Sequence, residues 1–150
     1  MIVAFCGHAN FLKTQEYEQK ILTFLEDNIG NCPADMYLGD YGNFDAFAYE
    51  CCKKYKATHP NISLIFITPY LTANFHCNRL QHLQDKYDFI FYPEIEDKPK
   101  RYAITYRNRY MVEKADYLIA YVSHDWGGAY QTYKYARRMG KNILNLASFD

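Results

Sequence analysis

Short continuous apolar runs alternate along this chain with longer stretches whose apolar residues recur at helical spacing. Ile2 to Cys6 reads as a buried strand, Gly7 to Phe11 as a loop, and Thr14 to Asn28 as a helix with Tyr17, Ile21, Leu22 and Leu25 on its apolar side. Asp35 to Leu38 is a second strand. The turn GDYGN at Gly39 to Asn43 leads into a helix from Phe44 to Ala57, which stops before His59-Pro60 because proline disfavours α backbone in its predecessor. Ser63 to Thr68 (SLIFIT) is continuously apolar and β-branched, the pattern of a central strand covered on both faces.

The stretch Pro69 to Lys86 breaks this rhythm, with a short helix expected inside HCNRLQHLQDKY before the strand Phe89 to Tyr92. Pro93 to Lys100 (PEIEDKPK) is charged and proline-containing, as an exposed loop is. A helix over Arg101 to Lys114 follows, then a strand over Tyr117 to Val122 and a Gly-Gly turn. The last helix runs to Met139 with Tyr130, Tyr133, Ala136 and Met139 at helical spacing, Gly140 stops it, and Asn142 to Leu146 is the final strand. Strands alternating with helices imply right-handed crossovers and a mostly parallel sheet with helices on both faces, a Rossmann-like α/β fold in one domain over residues 1–150.

In such sheets ligands bind beyond the carboxyl ends of the strands. That rule gathers Gly7-His8, the segment Gly39 to Asp45, and Ser123 to Gly128 at one sheet edge. Any one of these glycines is explained by the chain's need to turn; three such loops together favour a site. Strand, glycine turn and helix at Tyr121 to Ala136 (YVSHDWGGAYQTYKYA) is a recipe for anion binding, because glycines admit close approach and the first helical N–H groups have no internal partner. Neither GxGxxG nor GxxxxGK[ST] occurs, which excludes a standard dinucleotide loop and a P-loop.

Lysine plus arginine and aspartate plus glutamate number 17 each, so no net charge draws nucleic acid or an anionic membrane. This balance and the lack of a recognisable RNA-binding motif argue against a nucleic-acid partner, although aromatic and basic residues are interleaved in the last helix. No apolar run is long enough to span a membrane and no signal peptide is evident, so a cytoplasmic protein is expected. The odd set Cys6, Cys32, Cys51, Cys52 and Cys77 fits reduced, buried thiols better than disulfides. His76, Cys77 and His82 match no established ligand spacing, so neither metal nor cofactor is expected.

The blocks GH, YLGDYGNFDAFAYE and KRYAITYRNRYMVEKADYLIAYVSHDWGGAYQTYKYARRMGKNILNL, in this order, resemble the SLOG superfamily, with most likeness to small bacterial YpsA/YspA-like proteins. The resemblance implies a Rossmann-like fold and a nucleotide or nucleotide-derived ligand; the superfamily also includes Lonely Guy phosphoribohydrolases and the DNA-processing Smf proteins. Arg107 and Met111 match the Lonely Guy RKxxM block, and Gly127 and Gly128 match its glycine pair. Lys134 stands where those enzymes carry a catalytic glutamate, and an ammonium cannot stabilise a developing ribosyl cation as a carboxylate does. Ala9 takes the place of an arginine common in the amino-terminal loop.

These blocks nominate Gly7, His8, Gly39, Gly42, Asn43, Asp45, Arg107, Ser123, Gly127, Gly128 and Ala129 as ligand-binding residues. Asp45 is readable as a contact to ribose hydroxyls, as a general base, or as a carboxylate serving the start of a helix. His124 is a candidate acid or base, or an ordinary loop histidine. Arg107 is readable as a phosphate clamp or as part of a solvated helix face. Three functions follow: binding of a nucleotide-like small molecule, as a sensor; hydrolysis or transfer at an N-glycosidic bond with Asp45 as the carboxylate; or a nucleic-acid or protein interaction module. Tyr130, Tyr133 and the basic run Lys134 to Arg138 suggest a helix face for packing as a homodimer or higher homo-oligomer.

Overall fold

The apolar runs become strands of one sheet because the four inner ones are largely buried and have to pair their backbone groups inside the protein. The computed structural model describes residues 1–70 and 82–147. Its strands are β1 (Ile2–Gly7), β2 (Ala34–Leu38), β3 (Ile62–Ile67), β4 (Phe89–Phe91), β5 (Tyr117–Tyr121) and β6 (Asn142–Asn145). All six are parallel, in the order β4-β3-β2-β1-β5-β6. The fold is α/β and Rossmann-like. SLIFIT is interior, as its apolar character requires, but lies second from the edge; β2 and β1 hold the middle.

Helices α1 (Gln15–Asn28) and α2 (Asn43–Thr58) cover one face, and α3 (Ala103–Lys114) and α4 (Gly128–Arg138) the other. The period-two alternation of β1 decides which side each residue serves: Val3 and Phe5 pack with α1 and α2, while Ala4 and Cys6 pack with α3 and α4. α1 begins where Thr14 accepts a hydrogen bond from the Tyr17 amide at 3.1 Å, and its apolar stripe buries Ile21 and Leu25 with Tyr17 and Leu22 partly covered. A single 3-10 turn at Lys100–Tyr102 precedes α3, replacing the first turn of the longer helix expected there.

Some expectations change. Met139 is 44% exposed, since α4 ends at Arg138 and the last apolar position overhangs the sheet. Cys6, Cys51 and Cys52 are buried free thiols, whereas Cys32 is an exposed one beside the α1–β2 turn. Residues 82–86 are helical, while the rest of the expected short helix, with His76 and Cys77, lies outside the described residues. Among the described residues no group of histidine, cysteine and carboxylate side chains is placed to hold a metal ion, and no helix is long and apolar enough to cross a membrane.

Candidate functional site

The chain builds β1 to β4 outward on one side of β1, then returns to place β5 and β6 on the other. The loops leaving β1 and β5 therefore part company, and a crevice opens between them at the carboxyl edge. A cavity of about 430 Å³ lies there, walled by the β1 loop, Gly39 after β2, the cavity-facing side of α3, and the β5 loop with the start of α4.

Glycines shape this region by two different means. Gly39 admits close approach: a Cβ there would stand 2.8 Å from Asp45 Oδ2 and 2.9 Å from Arg107 Nη1. Gly7 has a similar role toward the protein itself, because a Cβ would fall 2.3 Å from the ring of Phe44, a fully buried side chain. Gly42 and Gly127 instead supply backbone conformation. They are the N-caps of α2 and α4, with φ/ψ of 97°/178° and 92°/174°, a region closed to residues carrying a Cβ except under strain.

Asp45 and Arg107 form the charged floor. Asp45 is in the first turn of α2, and its Oδ2 accepts the Tyr41 amide at 3.0 Å, closing the loop that starts the helix. Burial pushes its carboxyl up from 3.8 to about 6, against the opposing pull of Arg107 and the Tyr41 N–H. Arg107, on the inner side of α3, is only 4% exposed and donates from Nη1 to the Ile67 carbonyl at 3.0 Å. Its guanidinium lies 5.4 Å from the centre of the Tyr41 ring. The solvated-face reading of Arg107 is thereby set aside. Cys6 also reaches the cavity wall, and burial raises its thiol to about 12, which favours the protonated form.

Three rings form the opposite wall. His8 and His124 stack with centroids 3.6 Å apart, and His124 stacks on Trp126 at 3.9 Å. His8 Nε2 accepts the Ser123 amide at 3.0 Å, which fixes the imidazole as neutral with its proton on Nδ1. Burial, with His124 beside it, depresses the His8 pKa in the same direction. His8 thus ties the β1 loop to the β5 loop, and Trp126, 67% exposed, ends the stack in solvent.

Two buried side-chain atoms among the described residues have no hydrogen-bond partner: Arg107 Nε and His124 Nδ1. Both belong to residues of this cavity. An unpaired buried polar atom costs roughly 1–3 kcal/mol, so a ligand offering an acceptor and a second polar group recovers what the unliganded protein forgoes. Nearby, the amides of Gly128 and Ala129 lack intrahelical acceptors and no side chain caps α4, leaving the positive end of the helix at the cavity rim.

Of the residues nominated from sequence, Gly7, His8, Gly39, Asp45, Arg107, His124, Gly127, Gly128 and Ala129 surround the cavity. Gly42, Asn43 and Ser123 do not. Gly42 packs under Ala9, the Asn43 amide donates to the Ala9 carbonyl at 2.9 Å, and Ser123 holds His8 through its backbone. Lys134 is exposed on α4, away from the cavity lining. The structure adds Asn10 and Ile104 to the wall, along with Asn108 and Trp126, and brings there Met111, which the sequence had matched together with Arg107. Helical spacing could have found Ile104, which lies one turn before Arg107; for Asn10 no sequence signal pointed to the cavity.

No protein-family profile matches this chain, and a search of curated proteins finds no significant match. Among solved structures it is similar to DNA processing protein A from Helicobacter pylori, whose structure is described for its unique single-stranded DNA binding mode. The two share 18% identity with a TM-score of 0.61, the match covering 95% of this chain and 63% of the other. The chain thus spans less than two thirds of that protein's length, and the likeness is one of fold. It overturns the expectation that nucleic acid is not a partner: a protein of this fold binds single-stranded DNA. The expectation failed because a summed charge of zero says nothing of how the charges are distributed over the surface.

Proposed function

We propose that this protein binds single-stranded nucleic acid, seating one nucleotide in the cavity between the β1 and β5 loops. The observation that carries this reading is the ring stack that starts inside the cavity at His8 and ends on exposed Trp126. A platform that continues out of a cavity suits a chain of bases, because the base beside the seated nucleotide also finds a ring. The phosphate of the seated unit meets the α4 amides and Arg107 Nε, while His124 Nδ1 takes a polar edge of the sugar or base. The single-stranded DNA binding of the protein with the same fold supports the same choice.

Fluorescence anisotropy with a labelled thymidine dodecamer tests it. The intact protein binds, and Trp126→Ala weakens binding by about 1–3 kcal/mol, the usual worth of one base-stacking contact. An intact protein that leaves the dodecamer free in low salt would end this reading.

A second reading, a free nucleotide or nucleotide-derived ligand, is favoured by the cavity volume of about 430 Å³, which falls in the range of small-molecule sites. A thermal-shift panel of mononucleotides, cyclic nucleotides and ADP-ribose derivatives separates the two. Stabilisation by a member of that panel without dodecamer binding establishes the second reading over the first.

A further inference from the structure

The zero net charge of the chain conceals a division between the two faces of its sheet. α3 and α4 together expose Arg109, Lys114, Lys134, Arg137 and Arg138 against the single acid Glu113. On the opposite face the charges are mixed: Glu16, Glu18, Glu26 and Asp27 of α1 and Glu50 of α2 stand against Lys20 of α1 and Lys53, Lys54 and Lys56 of α2, with Lys54 paired to Glu18 at 2.9 Å. A polyanion approaching this molecule meets net attraction at the α3–α4 face and near balance at the other.

The basic side is also aromatic. Arg109 lies between two rings, 5.4 Å from the centre of Tyr106 and 5.3 Å from that of Tyr135. Tyr135 in turn meets Arg138 at 5.5 Å, and its hydroxyl donates to Glu113 at 2.6 Å. A tyrosine–arginine ladder thus crosses from α3 to α4, with both arginines exposed and each within cation–π distance of a tyrosine ring. Arg137 stands over Tyr133 at 5.8 Å in the same manner.

This ladder is continuous with the cavity. Both helices begin at the carboxyl edge: Ile104, Arg107 and Asn108 of α3 and Gly128 and Ala129 of α4 line the cavity itself. At 1.5 Å rise per residue, the ten steps from Gly128 to Arg138 extend roughly 15 Å from its rim, enough for several nucleotides.

We propose that the exposed α3–α4 face is the track along which a single strand leaves the cavity, its phosphates paired by Arg109 and Arg138. The track rests on the reading of the cavity as a single-strand site, and extends it from one nucleotide to a strand with a direction. Charge complementarity selects the occupant: five exposed bases against one acid fit a polyanion.

The experiment compares a labelled thymidine trimer and dodecamer by anisotropy across roughly 50 to 200 mM salt. It uses the intact protein, the double variant Arg109→Gln/Arg138→Gln, its counterpart Arg109→Lys/Arg138→Lys, and Trp126→Ala. The glutamine variant should bind the dodecamer about tenfold more weakly and flatten the log–log salt slope by about 1.4, two phosphates at ~0.7 each for a single strand. Its affinity for the trimer, which reaches only the near end of the track, should fall less. The lysine variant, which keeps the charge, should keep the slope. A glutamine variant with unchanged dodecamer affinity and slope overturns the track, and if Trp126→Ala loses the dodecamer in the same series the cavity reading stands without it. Equal loss of trimer and dodecamer by the glutamine variant also overturns the track. Intact protein that binds neither oligomer removes the cavity reading and the track together.

Discussion

Asp45 keeps a carboxyl where solvation is poor, and the consequence is a stability that depends on pH in the unusual direction for an acid. Its folded pKa is raised from 3.8 to about 6, burial outweighing Arg107. Below the unfolded value both states carry the proton and the group is neutral in the balance. As pH climbs through about 6 the folded protein has to ionise a carboxyl in a dry place while the unfolded chain has already done so in water. Stability therefore falls across the window from about 4 to 6, by roughly 3 kcal/mol at most for a shift of this size. Urea unfolding at successive pH values should show that decline in the intact protein and its loss in Asp45→Asn; parallel curves for the two proteins would refute it. A second residue-scale prediction concerns Gly39. Gly39→Ala forces a methyl to 2.8 Å from Asp45 Oδ2, and should cost about 1–3 kcal/mol of stability by denaturant titration, as overpacking does elsewhere. An unchanged midpoint would mean that the floor of the cavity is softer than its geometry indicates.

Among the elements, α2 and α4 share one device, a glycine N-cap in a conformation other residues avoid. Gly127 has no atom within 4 Å of an added Cβ, so Gly127→Ala isolates the backbone term: about 1–3 kcal/mol, read as a lowered denaturation midpoint. Gly128→Ala has equal room and ordinary backbone, and should leave the midpoint in place. The glycine pair was visible in the sequence, but which member carries the conformational demand was not, because φ is set by how the loop arrives and not by the pair itself. The elements were legible for a related reason. Continuous apolar runs such as SLIFIT have few ways to be buried, so their state as strands follows from composition. Lateral order does not: β3 stands next to the three-residue edge strand β4 because of a chain crossover that no local pattern encodes. Sequence likewise placed Arg107 on a helix without telling its inner side from its outer, since Arg109 two residues on is as basic and lies in solvent.

At the scale of the whole molecule, the contacts that matter most to the site join distant parts of the chain. The Ser123 amide meets His8 across 115 residues, and His124 joins the same stack. The loops were collected at one edge by the topology rule, yet the ring stack and the two unpaired nitrogens appear only when strands β1 and β5 stand side by side. Charge behaves similarly. Lysine and arginine equal aspartate and glutamate in number, and only the assignment of helices to faces shows that the α3–α4 side is basic while the α1–α2 side is mixed. The ring stack also has an optical consequence. Trp126 is the single tryptophan of the chain and lies 3.9 Å from an imidazole. Excited where tyrosine does not absorb, the protein therefore emits from the mouth of the cavity, and that emission responds to whatever comes to stack on the exposed ring. Occupancy can therefore be followed by light from the native chain, without attaching a dye to the surface that has to do the binding.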